Sequence, residues 1–318
     1  MNIISKIIRT VLRLFLWLLY ICGNVVIWWS FFFWSLSIIV LAWRWFFAYD
    51  QHFLSDAQLT KNFSQNFERV EIWTFSYSWK TIHYVDVWDI KDTPVLLLHG
   101  APWSINDRKP LLKISSMHKG YRFIIPDRIG YWKSSWWISE PDINKHAQAY
   151  AALFEKLIAP TWQLGIVLGH SYGWPIALSV QIHNPHLIQW SIIVAWAVDP
   201  GQEVIFPVSY LVQYQPLYWM IWPPLRVAND EKLWHVASLK KSMVWLDTIQ
   251  TPVVIVHGTE DILVPYANIW FMLEHIDSWV VKLISLSWQD HPLQYKNPQV
   301  IADALTQNFP QKQDGLAK

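Results

Sequence analysis

The pentapeptide Gly169-His170-Ser171-Tyr172-Gly173 carries the most chemical content in this chain. It follows an apolar run with strand character, Gly165–Leu168, and precedes a helical pattern over Pro175–Gln181. A serine on such a strand–turn–helix bend stands exposed at a helix N-terminus, and the flanking glycines remove side chains that would strike strand and helix. Its hydroxyl is a weak nucleophile, so it needs a base, and the base needs a carboxylate to orient it. Both follow, in the order serine, acid, histidine. Asp261 stands in Gly258-Thr259-Glu260-Asp261 after the run Pro252–His257, and His291 in Gln289-Asp290-His291-Pro292 after the last strand-like run. Each falls at the carboxyl end of an expected parallel strand, where open α/β sheets place their sites. Such a trio suits acyl transfer through a covalent intermediate.

Rivals for these roles are few. Glu260 and Asp290 sit beside the chosen residues and should point away, so Asp199, beyond Ser191–Ala195, is the best alternative acid. His170 is expected to shape the turn rather than move protons. His99-Gly100-Ala101-Pro102 follows the run Pro94–Leu98. Its Ala101 N–H, with the N–H of Tyr172, is assigned to an oxyanion hole.

Elements that position these residues are legible from periodicity. Strands are expected at Val70–Ser76, Thr81–Val87, Pro94–His99, Arg122–Pro126, Gly165–Gly169, Ser191–Ala195, Pro252–His257 and Val280–Leu286. Several are continuously apolar, as in strands covered on both faces. Ala147, Ala151, Phe154 and Ile158 recur at helical spacing, as do Ile301, Leu305 and Phe309. Strand–helix alternation predicts a doubly wound α/β domain, with the first two strands as an antiparallel hairpin at one edge. From Asp199 to Pro252 the alternation lapses into a Pro- and aromatic-rich stretch, Phe206 to Pro224, and then a helical pattern. An insertion there would form a small lid over the strand ends.

Ahead of the domain, Leu14 to Trp43 holds no charged residue, with Arg13 and Arg44 at its borders. The run exceeds the roughly 20 residues that cross a bilayer core and the roughly 7–15 of a signal-peptide apolar region. A transmembrane helix is expected. Lys6, Arg9 and Arg13 precede it, so the positive-inside rule places the N-terminus in the cytoplasm and the rest outside. A hairpin broken near Gly23-Asn24 would instead leave the domain cytoplasmic.

Composition excludes some functions and raises one anomaly. With 25 Lys and Arg against 24 Asp and Glu, there is no electrostatic footprint for nucleic acid. A single cysteine, Cys22, forbids an intramolecular disulfide and a Cys-based zinc site. There are 24 Trp and only 10 Gly among 318 residues, whereas glycine usually makes up about 7% of a chain and tight turns need it.

The motifs together resemble the α/β-hydrolase superfamily, in the branch with His-Gly-x-Pro, Asp-x-x-Gly (here Asp127-Arg128-Ile129-Gly130) and Gly-His-Ser-x-Gly, over roughly Val70 to Pro310. The resemblance implies a mostly parallel eight-stranded sheet with helices on both faces and a small helical lid. It further implies a water-dependent reaction through an acyl-enzyme, a small-molecule substrate, and no cofactor or metal. Serine at the nucleophile position argues against the dehalogenase and epoxide-hydrolase branches, which use a carboxylate there. The expected organisation is a membrane anchor over 1–48, a linker over 49–69, a hydrolase domain over 70–310 with its lid at about 200–240, and a tail over 311–318. A membrane-anchored ester hydrolase acting on an apolar acyl group is the leading reading. A carbon–carbon bond hydrolase or aminopeptidase with the same triad, and an inactive binding protein, are the alternatives.

Departures from the family share one form, tryptophan where glycine is usual: Trp103, Trp132, Trp174 and Trp288, with Trp79 in the turn expected between the first two strands. One explanation covers the Trp excess, the Gly deficit and their positions. It is the expectation that the gene reads UGA as glycine and that tryptophan stands here at UGA codons.

Overall fold

The eight apolar runs pair into one sheet in the computed structural model, which describes residues 3–87, 92–118, 120–195, 197–215 and 217–308. The strands are β1 (Val70–Tyr77), β2 (Lys80–Val87), β3 (Thr93–Leu98), β4 (Tyr121–Pro126), β5 (Gly165–His170), β6 (Ile188–Val194), β7 (Val253–Gly258) and β8 (Val281–Leu286). Their spatial order is β1-β2-β4-β3-β5-β6-β7-β8. β1 pairs antiparallel with β2, and β2 with β4, while every other pairing is parallel. The expected edge hairpin therefore forms. Phe309, Pro310 and the expected tail over 311–318 lie outside the described residues.

Helices α1 (Ile3–His52) and α2 (Asp56–Phe63) precede the sheet, α3 (Lys109–Leu112), α4 (Ile143–Ile158), α5 (Gly173–His183), α6 (Pro207–Val212), α7 (Leu217–Met220), α8 (Pro223–Ser242) and α9 (Asn268–His275) lie in its connections, and α10 (Leu293–Lys296) and α11 (Pro298–Asn308) follow it. The core divides in two because successive strand residues point to opposite faces. Leu96, Leu98, Val167, Ile193 and Ile255 join α4 and α5 on one side. Val95, Leu97, Ile166, Leu168, Ile192, Val194, Val254 and Val256 join α2, α3 and α11 on the other. Every residue of β3 except Thr93, and every residue of β4, β5 and β7, is buried, which explains why they are mostly apolar, with Arg122, His170 and His257 as the buried exceptions.

The chain separates into two units, Met1–Gln51 and His52–Lys318. In the first, α1 runs through Gly23 and Asn24 without a break. Its segment Arg9–Ile39, of 31 residues, contains an 18-residue window of mean hydropathy 1.9, none of it buried, and is long and apolar enough to cross a membrane. In the second unit, part of the segment expected as linker is helical. Ser55 caps α2 in a reciprocal capping box with Gln58, and Leu59 and Phe63 are buried against the sheet.

Candidate active site

β5 ends at His170, and the chain turns straight into α5, so Ser171 is held at φ +51°, in the left-handed region. Close approach explains the glycines on either side. A methyl group at Gly169 would lie 2.4 Å from Trp174 Cα, and one at Gly173 would lie 2.4 Å from the Leu98 carbonyl oxygen. No side chain fits in either gap.

The three residues singled out from the sequence meet at this bend. Ser171 Oγ lies 2.9 Å from His291 Nε2, and His291 Nδ1 lies 2.7 Å from Asp261 Oδ2. A carboxylate only accepts, so Nδ1–H donates to Asp261 and Nε2 is left to accept the serine proton. Asp261 Oδ1 accepts from the N–H groups of Leu263 (3.0 Å) and Val264 (2.8 Å), which fixes the carboxylate in the loop after β7. Asp261 is buried and His291 is partly open, so the trio is wet only at its histidine–serine end. Asp199 is engaged elsewhere, accepting from Gly201 N–H at 2.7 Å. Glu260 is exposed, and Asp290 pairs with Lys296 at 2.6 Å.

Two more histidines crowd the site. His170 is 1% exposed, its ring centroid is 5.4 Å from that of His291, and burial followed by the nearness of His291 pushes its pKa well below the ordinary value. It is neutral and packs the turn. His257 lies 3.8 Å from Asp261 Oδ2, and burial lowers its pKa despite that carboxylate. Sequence reading missed His257, whose only signal is its place four residues before the acid on the same strand end.

The loop after β3 closes the other side. A methyl group at Gly100 would lie 2.9 Å from Ser171 Cβ, so this backbone, and Ala101 next to it, abuts the serine. Tyr172 is the N-cap of α5. Behind the loop, the fully buried His99 accepts the Arg128 N–H at Nε2 (2.7 Å) and approaches the Gly100 carbonyl with Nδ1 (2.7 Å). Asp127 ties β4 to the same loop. It accepts Ile105 N–H at 3.0 Å and pairs with His83 at 2.8 Å.

The insertion after β6 roofs this end of the sheet. Glu231 of α8 forks to Arg128 at 2.6 and 3.0 Å and accepts the Tyr131 hydroxyl at 2.7 Å, all three buried. The Arg128 guanidinium also lies 4.7 Å from the Tyr172 ring, whose other neighbour is His235 of α8 at 4.7 Å. Burial acts against the Arg128 charge, but Glu231 more than offsets it and raises its pKa. Glu203, before α6, pairs with His235 at 2.8 Å and with Lys232. Burial opposes its ionisation, yet His235 and Lys232 prevail and bring its pKa down to about 2. No sequence pattern flagged these partners, because Arg128 and Glu231 are 103 residues apart.

No protein-family model matches the chain. Among solved structures it is similar to an α/β-hydrolase enzyme from a Medee basin deep-sea metagenome library, at 19% identity and TM-score 0.60 over 77% of this chain and all of the other (100%). It is similar to a lipase candidate from Acinetobacter baumannii AYE, at 16% identity and TM-score 0.59 over 80% of this chain and 95% of the other. A haloalkane dehalogenase from Bradyrhizobium elkani matches at 14% identity and TM-score 0.60, over 75% of this chain and 97% of the other. Identities this low speak to architecture, and with TM-scores of 0.59–0.60 over three quarters or more of this chain, the chain has the α/β-hydrolase fold.

Proposed function

We propose that this chain is a membrane-anchored serine hydrolase that cleaves carboxylic esters of apolar acyl groups through an acyl-enzyme, with Ser171, His291 and Asp261 as its catalytic triad. The observation that carries this reading is the continuous line Ser171 Oγ···His291 Nε2 and His291 Nδ1···Asp261 Oδ2, at 2.9 and 2.7 Å. Ser171 Oγ bonds to the ester carbonyl carbon while its proton passes to His291 Nε2, and the carbonyl oxygen becomes an oxyanion facing the N–H groups of Ala101 and Tyr172. The carbon–oxygen bond to the leaving alcohol then breaks, and His291 returns the proton to it. Water repeats the sequence and frees the carboxylic acid. The similar structures include both a lipase candidate and dehalogenases, and serine at the elbow favours acyl chemistry for this chain.

An apolar acyl group suits the lid, where Phe206, Tyr210, Leu211, Tyr214, Trp219 and Met220 are all at least half exposed. The anchor is α1 as a single span, with its N-terminus cytoplasmic and the domain over 70–310 on the other side. The unbroken helix supports one crossing rather than a hairpin. Labelling with a fluorophosphonate probe, with Ser171→Ala as control, tests the enzyme. A full-length parent protein that takes up no probe would defeat the proposal.

A further inference from the structure

The geometry points to His99 as a positioning residue that aims the Ala101 N–H at the oxyanion, and this rests on the hydrolase reading above. Arg128 N–H can only donate, so His99 Nε2 is the acceptor at 2.7 Å and Nδ1 carries the ring proton. That proton goes to the Gly100 carbonyl at 2.7 Å. Gly100 C=O and Ala101 N–H belong to one planar peptide unit, in which the two bonds point in opposite directions when the bond is trans. Ala101–Pro102 is the cis bond in this region, and Gly100–Ala101 is trans. Fixing the carbonyl on one side therefore fixes the N–H on the other, and the Gly100 backbone already abuts Ser171. Trp103 N–H reaches the same carbonyl at 3.2 Å, a longer second tether. With both ring nitrogens bonded and the ring fully buried, His99 stays neutral and keeps its tautomer.

Asn and Gln separate the two halves of this role, since an Asn amide reaches the place of Nδ1–H and a Gln amide that of Nε2. In ester hydrolysis by the full chain, His99→Asn should keep kcat near the parent value. His99→Gln should lower kcat by about 10²-fold with KM little changed, the usual effect of losing one oxyanion donor. Equal losses in both variants, or a loss in KM alone, would overturn the role of His99. A parent protein that neither labels nor hydrolyses overturns the hydrolase reading instead.

A second inference rests on backbone angles and is independent of activity. We propose that the natural protein carries glycine at positions 132, 136, 137, 162 and 288, its gene reading UGA as glycine. Nine non-glycine residues have left-handed φ among the described residues, and five of them are tryptophan: Trp132 (44°), Trp136 (42°), Trp137 (67°), Trp162 (52°) and Trp288 (61°). A bulky side chain rarely adopts this region, whereas glycine does so freely. Trp162 follows α4, its N–H bonded to Ile158 O at 2.9 Å, the place where helices commonly end in a left-handed glycine. Burial offers no compensation, since the Trp162 and Trp288 side chains are 86% and 83% exposed. Trp132 does lie against Trp136 and Trp137, but that contact does not explain three strained residues within six positions. Trp103, Trp174 and Trp79 lack this angle, and in the β1–β2 turn it is Ser78 that adopts it, at 53°.

Trp288 lies three residues before His291, so the change relaxes the turn that delivers the histidine to the serine. Two measurements decide the matter: the codons at the five positions, and the mass of the tryptic peptide 134–145 from protein made by the source organism. UGA at all five, with a peptide mass matching two glycines at positions 136 and 137, is the expected result. UGG at any of the five overturns the inference, and so does a peptide that retains both indoles.

Discussion

At the scale of single residues, the candidate site divides into an exposed end and a buried one. Ser171 and the imidazole edge of His291 meet solvent, whereas Asp261 is enclosed and held by two backbone N–H groups. Ser171→Ala should abolish probe labelling and lower ester turnover by at least ~10³-fold, because no other oxygen nucleophile lies against His291 Nε2 among the described contacts. Asp261→Asn should cut kcat by about 10⁴ while leaving the fold intact, since an amide can hold the imidazole in the wrong tautomer. Asp199→Asn serves as contrast. Its side chain only closes a local turn with Gly201, so steady-state kinetics should match the parent; a loss like that of Asp261→Asn would transfer the acid role to it.

At the scale of elements, the insertion after β6 is fastened by charges taken out of water. Replacing one member of the buried Arg128–Glu231 fork leaves the other unpaired, which commonly costs about 3–5 kcal/mol. Glu231→Gln should therefore shift the urea midpoint strongly downward. Glu203 gives a pH-dependent counterpart. Its pKa falls from the ordinary 4.5 to about 2 in the fold, a difference of the order of 3 kcal/mol at neutral pH. A depressed carboxylate stabilises the fold fully above about 4.5 and loses that contribution as pH falls toward about 2. Urea unfolding of the parent and of Glu203→Gln should differ most at pH 6 and converge on acidification. A gap that is constant with pH would remove the His235 and Lys232 pairing as its cause.

At the scale of the whole molecule, two units differ in what holds them together. The second owes its order to a sheet with apolar layers on both faces. The first is one helix whose apolar side chains are exposed over Arg9–Ile39, a surface that water penalises and lipid accepts. Deleting residues 1–51 should move the protein from the membrane pellet to the soluble fraction while probe labelling of Ser171 persists. Retention in the pellet would point to the exposed lid aromatics as a second membrane contact.

Local pattern alone determined much of this protein. Continuous apolarity marked the buried strands, because a strand covered on both faces has no polar side to show, and the glycines around Ser171 marked the bend. Serine, acid and histidine were readable because each stands at a strand's carboxyl end, a position that short stretches of sequence encode. Part of the expected linker folded as helix α2, since the reach of Leu59 and Phe63 to the sheet is invisible in a polar stretch. Only the tertiary structure decided that His99 joins Arg128 to Gly100, that Arg128 pairs with Glu231, and that five tryptophans occupy left-handed backbone. Those facts depend on which distant segments meet and on how the chain turns between elements, and neither is written in the periodicity of any one segment.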